Sequence, residues 1–214
     1  ITEDGSTTIH LPDWNENYHS THGAIQESNH VFIDKGLSMV LKSEISILEI
    51  GFGTGLNSFL TFLEAEKRKI SVHYVGVEAY PVTEKEASQL NYVSELNVDN
   101  KQPVFDQLHQ VAWGKNNQIT DDFYLEKRKQ FFKDIVAENQ FDLVYFDAFG
   151  AEHQPELWSI EIFRIMFKAM QENGILVTYC AKGSVRRAMQ EVGFTVERLE
   201  GPPGKREMLR ATKH

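Results

Sequence analysis

The stretch Glu49-Ile50-Gly51-Phe52-Gly53-Thr54-Gly55 decides the fold. Residues 45–50, mostly aliphatic and halted by glycine, read as a buried strand. Beyond the glycines, Leu56, Phe59, Leu60 and Leu63 recur at i, i+3, i+4 and i+7, the stripe of an amphipathic helix. Glycines between a strand and a helix let the backbone turn sharply and approach a ligand with no Cβ in the way. A turn so placed opens onto the crevice at the carboxyl ends of parallel strands. A dinucleotide fingerprint runs G-x-G-x-x-G; here the spacing is G-x-G-x-G, and Leu56 stands where the third glycine would fall.

Outward from this loop, the chain alternates strands with helices, the pattern of a parallel sheet with crossover helices. Strands are expected over 72–77, closed by Glu78 and Pro81, then over 123–127, 141–146 and 175–179. A helix carrying Ile160, Phe163, Phe167 and Met170 on one face is expected to stop at Asn173-Gly174. Ser184 reads as the N-cap of a short helix that buries Val185, Ala188, Met189 and Val192 and ends at Gly193. The strands 194–199 and Glu207–Thr212 flank the turn Gly201-Pro202-Pro203-Gly204. With no helix between them they pair antiparallel. The fold expected is therefore α/β and Rossmann-like: a mostly parallel seven-stranded sheet with a C-terminal antiparallel hairpin and helices on both faces. Residues 1–44 read as a polar, turn-rich extension with short strands near 7–11 and 30–34, and residues 45–214 as the main domain, the whole forming one compact unit.

Composition excludes several classes. At 214 residues, 41% hydrophobic and 25% charged, the chain has globular values. Its apolar runs, such as 141–149, are interrupted by charge far short of the roughly 20 residues a membrane span needs. No signal peptide is visible, and the lone Cys180 fits a reducing compartment, so a cytoplasmic location is expected. Eight histidines without an H-x-x-x-H spacing or Cys/His clustering give no metal site. Net charge is −9, but residues 182–214 hold eight Lys/Arg against four Asp/Glu. A basic end on an acidic protein can face a polyanion, since screening makes the local field count for more than the total; a solvated surface is the alternative.

Two acids end strands beside the glycine loop. Glu78 follows Gly51 by 27 residues, close to the spacing of an acid that accepts the two ribose hydroxyl protons of a nucleoside; a solvated strand-end acid is the other reading. Asp147 ends the run Asp142-Leu143-Val144-Tyr145-Phe146, which places its carboxylate beside whatever the loop binds. Trp158 reads as packing the start of its helix rather than stacking on a base.

The G-x-G-x-G spacing resembles the first motif of class I methyltransferases, whose loop wraps the methionine part of S-adenosylmethionine and whose preceding acid, here Glu49, helps hold the amino group indirectly. Phe146-Asp147-Ala148-Phe149-Gly150, followed by Pro155-Glu156-Leu157-Trp158, is similar to the "DGFAPxxNPxMW" block of the MnmC-type tRNA methyltransferases. The likeness continues through Gly183-Ser184-Val185-Arg186-Arg187, Glu191-Val192-Gly193-Phe194 and Gly204-Lys205-Arg206-Glu207-Met208. Tyr18 and the stretch from Gly23 to Phe32 resemble the family's opening. The sequence departs from the family where Lys127-Arg128-Lys129 stands near the usual "GD" pair that reaches the adenine. It departs again at Ala148 and at Gly150-Ala151. These 214 residues include no stretch similar to a flavin-dependent oxidoreductase domain, so the likeness expected is to the stand-alone methyltransferase form, which should need no flavin.

The resemblance implies methyl transfer from S-adenosylmethionine to the primary amine of 5-aminomethyl-(2-thio)uridine at the tRNA wobble position. The cofactor-binding set is then Glu49, Gly51, Gly53, Gly55, Asn57, Glu78 and Asp147. Asp147 positions the amine and handles its proton as the catalytic group. Arg186, Arg187, Lys205 and Arg206 are the expected contacts to the tRNA anticodon region, and the enzymes that install the aminomethyl group are the protein partners it suggests. Two other classes stay open: a methyltransferase acting on a small molecule or protein, and a non-catalytic or dinucleotide-binding Rossmann module.

Overall fold

A computed structural model describes residues 1–11, 16–17 and 22–214. Two short strands, β1 (His10–Leu11) and β2 (Glu16–Asn17), pair antiparallel on their own. The main sheet comprises β3 (Glu44–Ile50), β4 (Ser71–Glu78), β5 (Asn116–Thr120), β6 (Phe123–Lys129), β7 (Phe141–Phe146), β8 (Met170–Thr178), β9 (Thr195–Glu200) and β10 (Glu207–Thr212), in the order β5-β6-β4-β3-β7-β8-β10-β9. Strands β6, β4, β3, β7 and β8 run parallel. Strand β10 enters antiparallel between β8 and β9, as the hairpin at 201–204 requires.

All seven expected strands form, and an eighth, β5, lies antiparallel along the edge of β6. Its sequence, Asn-Asn-Gln-Ile-Thr, buries Ile119 alone, so no apolar alternation announces it. The central strands are covered on both faces, which is why they read as nearly continuous apolar runs. On β7, Leu143 and Tyr145 face one layer while Val144 and Phe146 face the other. The first layer holds α2 (Leu56–Arg68) and α5 (Gln102–Gln110); the second holds α6 (Ile160–Ala169) and α7 (Gly183–Val192). Between β4 and α5 run two single-turn helices, α3 (Glu84–Ala87) and α4 (Tyr92–Glu95).

Three local expectations are corrected. The segment expected as a strand at 30–34 is helical: α1 (Ala24–Ser28) runs into a π-helical turn, Asn29–Asp34, burying Val31, Phe32 and Ile33. A short apolar run fits either element, and here the Phe32 ring meets Tyr145 of β7 at 5.1 Å, where helical spacing delivers it. Asn173-Gly174 is not a helix cap. Helix α6 ends at Ala169 and the chain turns directly into β8; Asn173, left-handed at φ 62°, marks the irregularity by which β8 pairs β7 first at Met170 and again from Ile175. Ser184 does not cap α7, whose N-cap is Lys182 with no side-chain capping bond, although Gly193 ends the helix at φ 117° as expected. Tyr18 lies outside the described residues.

Residues 24–40 share the main core. Arg68 of α2 donates to the carbonyls of Leu37 and Val40 at 2.9 and 2.8 Å, and Phe32 and Leu37 belong to the first layer. Leu37 and Val40 are thereby held beside the C-terminal end of α2, where the chain leads into β3.

Candidate active site

The loop 51–55 is stitched to the end of β4. Gly51 and Phe52 N–H both donate to the Val77 carbonyl, at 3.0 and 3.1 Å. Gly51, Gly53 and Gly55 all have positive φ, and a Cβ on Gly51 would lie 2.5 Å from the Asp147 carbonyl oxygen. Only glycine lets β3 turn this close to the end of β7. Asp147 N–H in turn donates to the Ile50 carbonyl at 2.9 Å, which locks the two strand ends together.

Four expected side chains converge here. Glu49 is fully buried. Asn57, in the first turn of α2, donates through Nδ2 to Glu49 Oε1 at 2.9 Å and to Asp147 Oδ2 at 2.8 Å. Glu49 Oε2 and Asn57 Oδ1 find no hydrogen-bond partner among the described residues. Burial, with the nearby Asp147 adding to it, holds the Glu49 carboxyl well above the usual range. Burial likewise pushes Asp147 up to about 7; Asn57's hydrogen bond opposes the rise, Glu27 adds to it, and Lys205 pulls it back. Asp147 is only partly buried, so it faces the crevice while Glu49 stands behind it.

Glu78, at the end of β4, accepts from Gly53 N–H at 3.1 Å through Oε2 and from Tyr80 N–H at 3.0 Å through Oε1. Each oxygen keeps lone-pair capacity for a further donor, as two ribose hydroxyls would need. Burial raises its pKa, and those backbone bonds offset part of the rise. Beside it the exposed rings of Tyr80 and Phe131 meet edge to face at 6.2 Å. Helix α2 begins at left-handed Gly55 with no side-chain cap, leaving its first turn open to an anion. A glycine turn, a strand-end acid with acceptor capacity on both oxygens and buried oxygens without partners among the described residues fit S-adenosylmethionine.

The four basic residues do not converge. Arg187 and Arg206 are exposed, and Arg186 is half-buried with Nε unpartnered among the described residues. Lys205 turns inward: its ammonium pairs with the buried carboxylate of Glu27 on α1 and lies 4.0 Å from the centre of the Tyr179 ring. Tyr179 donates its hydroxyl to the Ala148 carbonyl at 2.8 Å, next to Asp147. Trp158 is core: it is buried, donates to the Phe149 carbonyl at 2.8 Å and packs against Phe146.

Sequence reasoning missed Glu27 and Tyr179, which meet the site only through tertiary packing. It also missed Lys127, which is buried, donates to the His109 carbonyl at 2.6 Å and lies 5.0 Å from the Trp113 ring. Burial lowers the Lys127 pKa to about 8; burial and the Lys127 charge lower that of His109 to about 4. The signal for Lys127 lay in strand parity, since it shares a face of β6 with buried Phe123 and Leu125. No group of three His, Cys, Asp or Glu side chains suited to a metal occurs among the described residues. Among them, too, no helix is long and apolar enough to cross a membrane.

Known proteins resemble this chain in sequence and fold. Residues 102–214 match the model of a family described as S-adenosyl-L-methionine-dependent methyltransferase. The tRNA 5-methylaminomethyl-2-thiouridine biosynthesis bifunctional protein MnmC of Burkholderia multivorans is 29% identical over 94% of this chain and 33% of its own length. The protein of the same name from Burkholderia pseudomallei is 31% identical over 97% of this chain and 34% of its own. The chain thus spans about a third of the length of the curated relatives it matches. The crystal structure of MnmC2 from Aquifex aeolicus superposes with a TM-score of 0.78 at 25% identity, covering 100% of this chain and 68% of that one. Spermidine synthase from Thermotoga maritima shares the fold, with a TM-score of 0.59 at 14% identity, over 98% of this chain and 69% of that one. A loop of G-x-G-x-G spacing that joins three strand-end acids, within a chain more than half of which fits the family model, makes this protein a member of the S-adenosyl-L-methionine-dependent methyltransferase family.

Proposed function

We propose that this protein methylates the primary amine of 5-aminomethyl-(2-thio)uridine at the tRNA wobble position. The observation that carries the reading is the likeness, over 97% of the chain, to a protein named for 5-methylaminomethyl-2-thiouridine biosynthesis. The geometry supports it through Asp147, a carboxyl poised near neutrality at the open side of the glycine loop. The loop 51–55 and Asn57 would hold the methionine part of S-adenosylmethionine, with Glu49 bracing Asn57 from behind. Glu78 would accept the ribose hydroxyls, and Tyr80 with Phe131 offer the adenine an apolar flank. Bound there, S-adenosylmethionine supplies a methyl on a sulfonium, which an uncharged amine takes as the carbon–sulfur bond breaks and its electron pair stays on sulfur.

What remains is proton handling and alignment. A free alkylamine is mostly protonated near neutral pH, so the site must receive that proton before the nitrogen can react. Ionised Asp147 accepts a hydrogen bond from the amine, takes its proton directly or through water, and keeps the nitrogen aimed. The wobble base must leave the anticodon stack to reach this depth, at a cost of about a few kcal/mol. The reading places the protein in the cytoplasm, downstream of the activity that installs the aminomethyl group, with Arg186, Arg187 and Arg206 as separate contacts to RNA.

Nucleoside mass spectrometry tests the proposal. Bulk tRNA carrying 5-aminomethyl-2-thiouridine, incubated with the purified protein and S-adenosylmethionine, should convert that nucleoside to its N-methyl form. If S-adenosylhomocysteine binds but the nucleoside is unchanged, the substrate is a small molecule or a protein instead.

A further inference from the structure

We infer that Lys127 is a positioning residue for S-adenosylmethionine: acting through Phe52 and His109, its ammonium sets the glycine loop for the cofactor, and does so only while charged. The inference rests on the cofactor and is independent of the tRNA reading. Three observations carry it. The side chain of Lys127 is buried, and its ammonium donates to the His109 carbonyl, in the last turn of α5, at 2.6 Å. The same ammonium lies 5.0 Å from the centre of the Trp113 ring and 6.0 Å from that of Phe52, a residue of the loop itself. The loop rests on this cluster. The Phe52 ring fills the space over Gly76 of β4, where a Cβ would come within 2.3 Å of it, and Gly76 is the register partner of Lys127. A Cβ on Gly55 would lie 3.3 Å from His109 Nε2 and 3.4 Å from the Phe52 ring, so the turn into α2 is seated on both rings.

Charge makes this lysine more than a filler. The ammonium faces the carbonyl end of α5, where the helix dipole is negative, and two aromatic rings whose quadrupoles attract a cation. A neutral amine keeps a hydrogen bond and loses both attractions, so Phe52 and the end of α5 are held less firmly. Burial lowers the Lys127 pKa to about 8, which brings the loss of charge close to neutrality. Other charged groups surround the cluster. On α5, His109, lowered to about 4, stays neutral above that pH, and Asp106 is exposed one turn earlier. On β6, Glu126 and Arg128 pair with each other on the opposite parity, and Lys129 is exposed at the strand end. Lys115 is exposed beyond Trp113, Glu78 on β4 accepts from Gly53 and Tyr80, and Glu49 on β3 is held well above the usual carboxyl range. Asp147, raised to about 7 at the end of β7, needs a control.

The test uses the full chain and S-adenosylhomocysteine, read by calorimetry from pH 7 to pH 9, with thermal melts of the free protein alongside. Lys127→Met keeps the stem and removes the ammonium. At pH 7 it should bind about fivefold more weakly than the wild type. At pH 9, where the wild-type lysine has lost its charge, the two should bind about equally. Any contribution from Asp147 appears in both proteins and cancels in the ratio of their affinities. A lysine with only a structural role would lower the Tm of the variant and leave that ratio constant across pH. A constant ratio, or equal affinity at pH 7, overturns the inference. Should Lys127→Met fail to fold, Lys127→Arg is read instead, because its charge persists throughout the range. Its affinity relative to the wild type should rise about fivefold from pH 7 to pH 9, and a constant ratio again overturns the inference. No tRNA enters this measurement. A changing ratio together with unmethylated tRNA would support the lysine while removing the tRNA reading, and methylated tRNA with a constant ratio would do the reverse.

Discussion

Asn57 holds two carboxyl groups with one amide: Nδ2 donates to Glu49 at 2.9 Å and to Asp147 at 2.8 Å. Both acids are pushed toward protonation, and the bond to Asn57 is what restrains Asp147. Asn57→Ala should therefore cost about 1.5–3 kcal/mol of stability and move the ionisation of Asp147 above about 7. Urea unfolding gives the first quantity and the midpoint of the pH–rate profile the second. A midpoint that stays in place would mean that Asn57 does not restrain the acid.

Asp147 works as a base only when ionised, and its carboxyl is raised to about 7. Single-turnover methylation should accordingly climb with pH to a plateau above that value. Asp147→Asn should lower the rate by about 10²–10⁴-fold, the usual contribution of general acid–base catalysis, and erase the climb. S-adenosylhomocysteine affinity should change far less. A variant that keeps both the rate and its pH dependence would take proton handling away from Asp147.

Glu49 carries a different pH signature. Its carboxyl is raised from an ordinary 4.5, so the folded protein holds a proton that the unfolded chain releases above that pH. Its contribution to stability is greatest below about 4.5 and declines as pH rises toward the raised value. Glu49→Gln, which still accepts from Asn57, should match wild type near pH 4 and exceed it at higher pH. The gap should widen by at most about 1.4 kcal/mol per pH unit. Thermal melts across pH decide the matter, and a constant difference would mean that Glu49 is ionised in the fold.

Glu78 should separate cofactor binding from folding. Glu78→Gln keeps an acceptor for one backbone N–H and should weaken S-adenosylhomocysteine binding by roughly tenfold, the loss of one hydrogen bond to a charged acceptor. Glu78→Ala also frees Gly53 and Tyr80 N–H, so it should lose more and melt earlier. Calorimetry that finds Glu78→Gln at wild-type affinity would remove the ribose contact.

Arg187 and Arg206 are exposed and Lys205 is not free, so the salt dependence of tRNA binding should reside in the arginines. Replacing both by Ser should flatten the plot of log affinity against log salt by about 0.7–0.9 for each phosphate that is no longer neutralised. S-adenosylhomocysteine affinity should stay the same. An unchanged slope would leave these arginines as ordinary surface.

The sequence revealed the residues around the glycine loop far better than those around Lys205, for a physical reason. Glu49, Asn57, Glu78 and Asp147 sit at fixed offsets from strand ends, and parallel pairing alone brings those ends together. Glu27 and Tyr179 reach Lys205 through the docking of separate elements, which no local pattern encodes. Lys127 was hidden in a Lys-Arg-Lys run that resembles a solvated charge cluster, although its neighbour Arg128 pairs with Glu126 on the opposite parity. Asn173-Gly174 offered two uses of one conformation, a helix cap or a strand irregularity, and pairing with β7 selected the second.

The contact between Glu27 and Lys205 joins residues 178 positions apart. Closing a loop on that scale costs entropy before any contact repays it. During synthesis, α1 leaves the ribosome long before Lys205 does. The glycine loop and its strands can already have closed by then. Such a nascent chain would hold the crevice of the glycine loop before the hairpin arrives to join α1 to the far end of the sheet.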